Sequence, residues 1–353
     1  MYKSPLHETA VKYGTDFWND SCSISELEYA IEYGAVGATT NPVIVKNVIE
    51  AEFDTYQPII QEMVAKYPNE TEDEIAWRII EMTAIEGAKL LEPIFKETNG
   101  QKGRISIQTN TKYYRSAEKM ADQAEYFSTL APNMQVKMPS TKEGIEAFEE
   151  ATYRGVSINA TVSFSVAQAV AVAEAVERGL KRREEEGLDS STMHPVCTIM
   201  VGRVGDWTKE AAETQGINLS PEALELAGVS VMKNAYTIFQ EKGYRTTLLA
   251  AAYRFDNQWL DFVGGNLEMT IPHKWIKKFN EGDYKVESRI DVPVDQAIID
   301  ELLHVDDFKK MYLAEGMKPE DFVHLGATQK TLTQFFGGYD ELLVIIRKEQ
   351  LKQ

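Results

Sequence analysis

The chain has 353 residues, 43% of them apolar and 26% charged, with a net charge of −18, the composition of a globular protein long enough to bury a large core. Nucleic acid is a poor main partner for so acidic a chain, since phosphate-backbone binding needs a positive face, and no apolar run reaches the roughly 18 to 20 residues needed to cross a bilayer. Two cysteines, Cys22 and Cys197, cannot build a disulfide framework or a four-ligand zinc site, and nothing upstream of Thr15 resembles a signal peptide, so a reducing cytoplasm is the expected compartment.

In chain order, β-type runs at residues 15–20, 36–39, 104–109, 134–138, 156–162, 195–200, 246–251 and 267–271 alternate with helical patterns. The helical stretches are 25–33, 72–97, 112–130, 142–153, 166–186 and 221–241. Alternation of this kind predicts a parallel sheet. Eight such units match a (β/α)8 TIM barrel better than a doubly wound sheet, for which a GxGxxG after a strand is missing. Beyond residue 271 the pattern is helical, at 293–303, 305–314 and 331–348. The expected organisation is one domain over residues 1–353: a barrel at 15–271 and a C-terminal helical extension at 272–353, serving as a lid or an oligomer contact.

Strands of a parallel barrel are covered on both faces and read as nearly continuous apolar runs. Three here do not. In Met134-Gln135-Val136-Lys137-Met138 the polar residues occupy one parity, and Ser106, Gln108 and Asn110 alternate with Ile105 and Ile107 in the same way, as do Ser157, Asn159 and Thr161 with Ile158 and Val162. With a side-chain period of two, the polar parity points into the barrel if the apolar parity faces the helices. Gln135, Ser106 and Ser157 can satisfy one another there. Lys137 is different, because a lysine inside a barrel gives up its hydration unless it is paired or neutral, and burial lowers its pKa. A neutral amine attacks carbonyls. The alternatives are a buried salt bridge or a lysine reaching the rim.

Four motifs resemble the transaldolase family, including its fructose-6-phosphate aldolase branch: Gly37-Ala38-Thr39-Thr40-Asn41-Pro42, Val136-Lys137-Met138-Pro139-Ser140-Thr141, Ile158-Asn159-Ala160-Thr161-Val162-Ser163-Phe164-Ser165, and Val201-Gly202-Arg203-Val204-Gly205-Asp206-Trp207. Their order and spacing fit over about residues 16–271. The resemblance implies that Lys137 forms an imine with a ketose and that Asp20 moves protons. It further implies that Asn41 and Asn159 hold the imine and substrate hydroxyls, that Thr161 positions a catalytic water, and that Arg203 and Arg254 bind a phosphate-type tail. No metal or organic cofactor is implied. The partners are an anionic ketose, such as a sugar phosphate, and an aldehyde acceptor. A homo-oligomer is compatible with the pattern.

The pattern also departs from the family. Transaldolases proper carry acids on the third strand where this chain has Gln108 and Asn110, and Gln108 cannot exchange a proton. The aldolase branch resembles this chain in having that glutamine, yet its sixth-strand tyrosine corresponds here to Met200, where classical transaldolases have phenylalanine. Thr198 and Ala252 each replace a serine, and the serine at 252 would help bind phosphate. The reading is transaldolase-type transfer of a dihydroxyacetone unit. The alternatives are an aldolase that releases free dihydroxyacetone and a non-catalytic sugar-phosphate-binding protein on the same barrel.

Overall fold

Eight short parallel strands close on themselves in sequence order: β1 (Asp16–Asn19), β2 (Gly37–Thr39), β3 (Arg104–Gln108), β4 (Met134–Pro139), β5 (Ile158–Ser163), β6 (Val196–Ile199), β7 (Thr247–Ala250) and β8 (Glu268–Ile271). The last strand pairs with the first over Asp16↔Glu268 to Asn19↔Ile271. The structure is a computed structural model and describes residues 2–352. It bears out the TIM barrel and all eight strands, with ends moved by a residue or two. Among the described residues no helix is long and apolar enough to cross a membrane.

The two parities separate as side-chain alternation requires. Ile105, Ile107, Met134, Val136, Met138, Ile158, Ala160 and Val162 join the large core between strands and helices. Inside the barrel, Trp18, Val196, Leu249 and Ala251 form a small apolar cluster on the β1, β6 and β7 side. The β3 to β5 side is polar. There Ser106 Oγ donates to Gln135 Oε1 (3.1 Å), and Gln135 Nε2 donates to the carbonyls of Ile158 and His194. Ser157 Oγ accepts from the His194 amide. Ser106 and Gln135 therefore satisfy one another as expected, whereas Ser157 is satisfied by the His194 backbone instead.

Several helices differ from the sequence reading. The run at 112–130 is a 3-10 turn at Thr111–Tyr113 followed by a helix at Ala117–Ser128, whose N-cap Ser116 accepts from the Lys119 amide and restarts the helix after the turn. Helices at Pro5–Tyr13, Pro42–Ala51, Phe53–Lys66 and Val201–Gln215 were not anticipated. Two of them begin with proline directly after a capping residue, Ser4 and Asn41, a start signal legible in principle. Beyond β8 come helices at His273–Glu281, Gln296–Leu302, Asp306–Tyr312 and Gly326–Gln350, with residues 282–295 free of helix or strand. The last and longest runs across the mouth of the barrel at the C-terminal ends of the strands. It packs on the helices Pro42–Ala51, Phe53–Lys66 and Glu72–Glu97.

Candidate active site

Parallel pairing places Lys137 between Gln108 of β3 and Asn159 of β5, its register partners on either side. Neighbours in register point the same way, so these three polar side chains share one interior layer above the Ser106 and Gln135 layer. Lys137 is 4% exposed. Burial pulls its amine below the ordinary lysine range, with Asp20 opposing and Arg203 reinforcing the shift. Among the described residues its side-chain amine enters no hydrogen bond or salt bridge. The other buried lysine is tied down: Lys233 donates to the carbonyls of Arg289 (2.8 Å) and Val292 (2.6 Å) and lies 3.6 Å from Asp261. A buried amine without an anchor costs hydration that nothing repays, unless it is neutral and has work to do.

Asp20 follows β1 directly. Its Oδ1 accepts from Thr39 Oγ1 of β2 (2.6 Å), which also touches Thr270 Oγ1 of β8 (2.5 Å). Burial raises the carboxyl, against the pull of Lys137, the Thr39 hydrogen bond and Arg203. The helix at Ile24–Glu32 is preceded by Ser23, so Asp20 is not its cap. Burial thus moves an acid upward and an amine downward in one cavity, which narrows the gap a transferred proton must cross. Burial pushes the thiols of Cys22 and Cys197 up to about 12, and neither lines the cavity described below.

A cavity of about 550 Å³ opens at the C-terminal mouth, lined by Asp20, Asn41, Lys137, Thr161, Thr198, Arg203 and Arg254 among others. Seven of the nine expected site residues therefore meet around one space. Gln108 and Asn159 do not line it. Gln108 is 2% exposed, donates to Thr111 Oγ1 (3.1 Å) and leaves its buried carbonyl oxygen unpartnered. Asn159 spans the interior, donating to Ser106 Oγ (3.0 Å) and accepting from Thr198 Oγ1 (2.7 Å). Asn41 caps its helix, accepting from the Ile44 amide (3.0 Å), which leaves its NH2 group as the end available to a ligand. Thr161 is fully buried with an unpartnered hydroxyl.

The two arginines come from adjacent strand ends and meet because of a glycine. Arg203 sits in the first turn of the helix Val201–Gln215 after β6, and Arg254 follows β7. A Cβ on Gly202 would lie 1.8 Å from the Ala252 carbonyl oxygen and 2.9 Å from Arg254 Cγ, so only glycine permits this approach. Ala252 itself has φ of 66°, a left-handed conformation that a residue with a Cβ adopts at a cost. Arg254 pairs with Asp206 (2.9 Å). Arg203 donates to Thr331 Oγ1 (3.1 Å) and to Gln334 Oε1, and its buried Nε has no partner. Burial, then Arg254, lower its pKa, which marks a locus short of negative charge.

The family model for Transaldolase/Fructose-6-phosphate aldolase matches residues 17–325. The chain belongs to this family. Curated relatives include a transaldolase from Thiobacillus denitrificans, 32% identical over 255 residues, which are 68% of this chain and 69% of that protein. A transaldolase from Thermobifida fusca is 30% identical over 263 residues, 70% of this chain and 69% of that protein. The protein named Transaldolase 2 from Streptomyces avermitilis is 30% identical over 237 residues, 65% of this chain and 62% of that protein. The chain thus spans about two thirds of the length of the curated relatives it matches, and somewhat less for the last.

The match to the transaldolase family model ends at Leu325, immediately before the helix Gly326–Gln350 that covers the cavity. Gln334, Phe335, Gly337, Gly338 and Glu341 of that helix line the space, as do Lys274 and Trp275 after β8 and Tyr253 after β7. Sequence reasoning missed all of these as site residues. One signal was present. Two glycines in succession inside a 25-residue helix weaken it by roughly 1 kcal/mol each, and Gly337-Gly338 sits where the helix meets the cavity wall.

Proposed function

We propose that this protein is a transaldolase-type transferase, moving a dihydroxyacetone unit from an anionic ketose to an aldehyde through a Schiff base on Lys137. The observation that carries the reading is the buried, unanchored Lys137 amine, flanked by Gln108 and Asn159 and sharing its cavity with Asp20. The neutral amine adds to C2, the carbonyl π pair goes to oxygen and takes up a proton, and loss of water gives the protonated imine. The C3–C4 pair then flows into the imine, which neutralises the nitrogen and leaves an enamine. The proton of the C4 hydroxyl passes to the Asp20 carboxylate as the aldehyde departs. Capture of an acceptor aldehyde runs these steps in reverse. Thr161 and Gln108 hold water or substrate hydroxyls, Asn41, Asn159 and Thr198 orient the imine and hydroxyls, and Arg203 and Arg254 hold a phosphate or sulfonate tail.

The test is borohydride reduction with a panel of phosphorylated and sulfonated ketoses, followed by peptide mapping. Stable modification of Lys137 is expected, and modification of another lysine would overturn the mechanism. A second reading, an aldolase that releases free dihydroxyacetone, is favoured by Gln108 standing in place of an acid beside Lys137. Rapid dihydroxyacetone release without any acceptor would select it.

A further inference from the structure

Val162 has φ of 54°. For a β-branched residue the left-handed region is a genuine outlier, and it persists only where its surroundings over-determine it. It sits where the pairing of β5 with β6 shifts register, between Ala160 and Ser163, one residue beyond Thr161. What holds it is Gln168, fully buried in the first turn of the helix Val166–Glu185. Gln168 Nε2 donates to the Val162 carbonyl and to the Ser140 carbonyl, both at 3.0 Å, while Oε1 accepts from the Phe164 amide (3.0 Å) and from Ser165 Oγ (3.1 Å). Ser140 in turn donates its amide to the Thr161 carbonyl at 2.7 Å. One carboxamide therefore ties the end of the Lys137 strand to the end of the Thr161 strand and closes over the irregular turn between them.

The simple alternative is a helix cap, since Ser165 is the N-cap and Gln168 the third helical residue. Capping uses only the acceptor oxygen, and a glutamate would serve it as well. The two donors do something else: they are spent on carbonyls of the two strand ends that carry Lys137 and Thr161. We propose that Gln168 is a positioning residue, which fixes the left-handed turn at Val162 and thereby aims the Thr161 hydroxyl and the Lys137 strand end at a common point in the cavity. This rests on the Schiff-base reading given above.

Gln168→Glu keeps the acceptor and loses the paired donors. The variant is expected to lower kcat by about tenfold to a hundredfold, the penalty of a misplaced catalytic group, while KM for the anionic ketose holds within about twofold because the arginines sit on other strands. Adding Val162→Gly should recover part of kcat, since glycine adopts the turn without restraint. An unchanged kcat in Gln168→Glu, or a loss that Val162→Gly does not recover, overturns the proposal. If Gln168→Glu does not fold, the wild-type carboxamide protons of Gln168 answer by NMR. Slow exchange, with a chemical shift that moves when ketose is trapped on Lys137, is expected. Exchange as fast as that of a surface glutamine overturns the proposal. Trapping in the wild-type protein tests the Schiff base separately, so failure of the reaction and failure of the clamp give different results.

Discussion

Lys137 and Asp20 face one cavity without closing a salt bridge, and burial drives the amine toward its neutral form and the carboxyl toward its protonated form. Each offsets part of the other's shift. Asp20 raises Lys137, whereas Arg203 lowers it. The neutral amine is the reactive species, so the trapping rate should rise with pH along a limb set by the Lys137 pKa. Removing the negative neighbour by Asp20→Asn moves that limb to lower pH, and removing the positive one by Arg203→Met moves it to higher pH. A displacement of about one unit corresponds to roughly 1.4 kcal/mol of lost interaction. The measurement is the position of the limb in borohydride trapping, not its height, which Asp20→Asn also depresses by removing a proton carrier. Movement of both variants in the same direction would refute the assignment.

The arginines bind a tail remote from the bond that breaks, which makes their contribution uniform between ground and transition states. At a pH above the Lys137 limb, Arg203→Met and Arg254→Met should each raise KM for a phosphorylated ketose by about tenfold or more, from loss of a charge-assisted hydrogen bond of roughly 1.5–3 kcal/mol, and should leave kcat nearly unchanged. Arg203 should matter more. Its Nε is buried without a partner, whereas Arg254 is already paired with Asp206. Steady-state kinetics on phosphorylated and unphosphorylated ketoses decides the matter, because the effect should vanish for the uncharged substrate.

What was legible in the sequence is what alternation and local motifs encode. The parity of Gln135 and Lys137 against Val136 and Met138 located the barrel interior, and the register then put Gln108 and Asn159 beside Lys137. Asn41 announced a helix start by standing before Pro42, although the helix itself was passed over. The cavity roof was not legible. Gln334 meets Arg203 across 131 residues of chain, and no periodicity reports which face of a terminal helix lands on a barrel mouth. The turn at Val162 was hidden for a related reason, since valine belongs in strands and the Gln168 hydrogen bond to its carbonyl comes from a residue six positions on.

Gln108 offers a sharper test of the lysine's surroundings. Its carbonyl oxygen is buried without a partner, and its strand places it beside Lys137. Gln108→Glu would set a carboxylate next to the amine. The pair would ionise together, raising the Lys137 pKa and slowing imine formation at neutral pH, with the loss recovered as pH rises. If the introduced carboxyl instead stayed neutral and supplied a proton, hydrolysis of the enamine would speed up. The ratio of trapping rate to product release, followed from about pH 6 to about pH 10 to span both titrations, distinguishes the two, and an unchanged ratio would place Gln108 outside the reacting layer.

The two glycines of the covering helix should respond in opposite directions to the same substitution. A Cβ on Gly338 would lie 2.5 Å from Val43 Cγ2 and 3.1 Å from Val43 Cα, so the helix must lift from Pro42–Ala51 or Val43 must turn away. Gly338→Ala is expected to cost about 1–3 kcal/mol, as overpacking does. Lifting would also draw Gln334 off Arg203 and raise KM for the anionic ketose. At Gly337 a Cβ meets nothing within 4 Å, so Gly337→Ala gains helix propensity and restricts the unfolded chain, for about 0.4–1 kcal/mol of added stability. Thermal melts of the two variants should therefore bracket the wild type. If both were destabilised, the helix would not be seated on the cavity in the way its contacts with Val43 and Arg203 require.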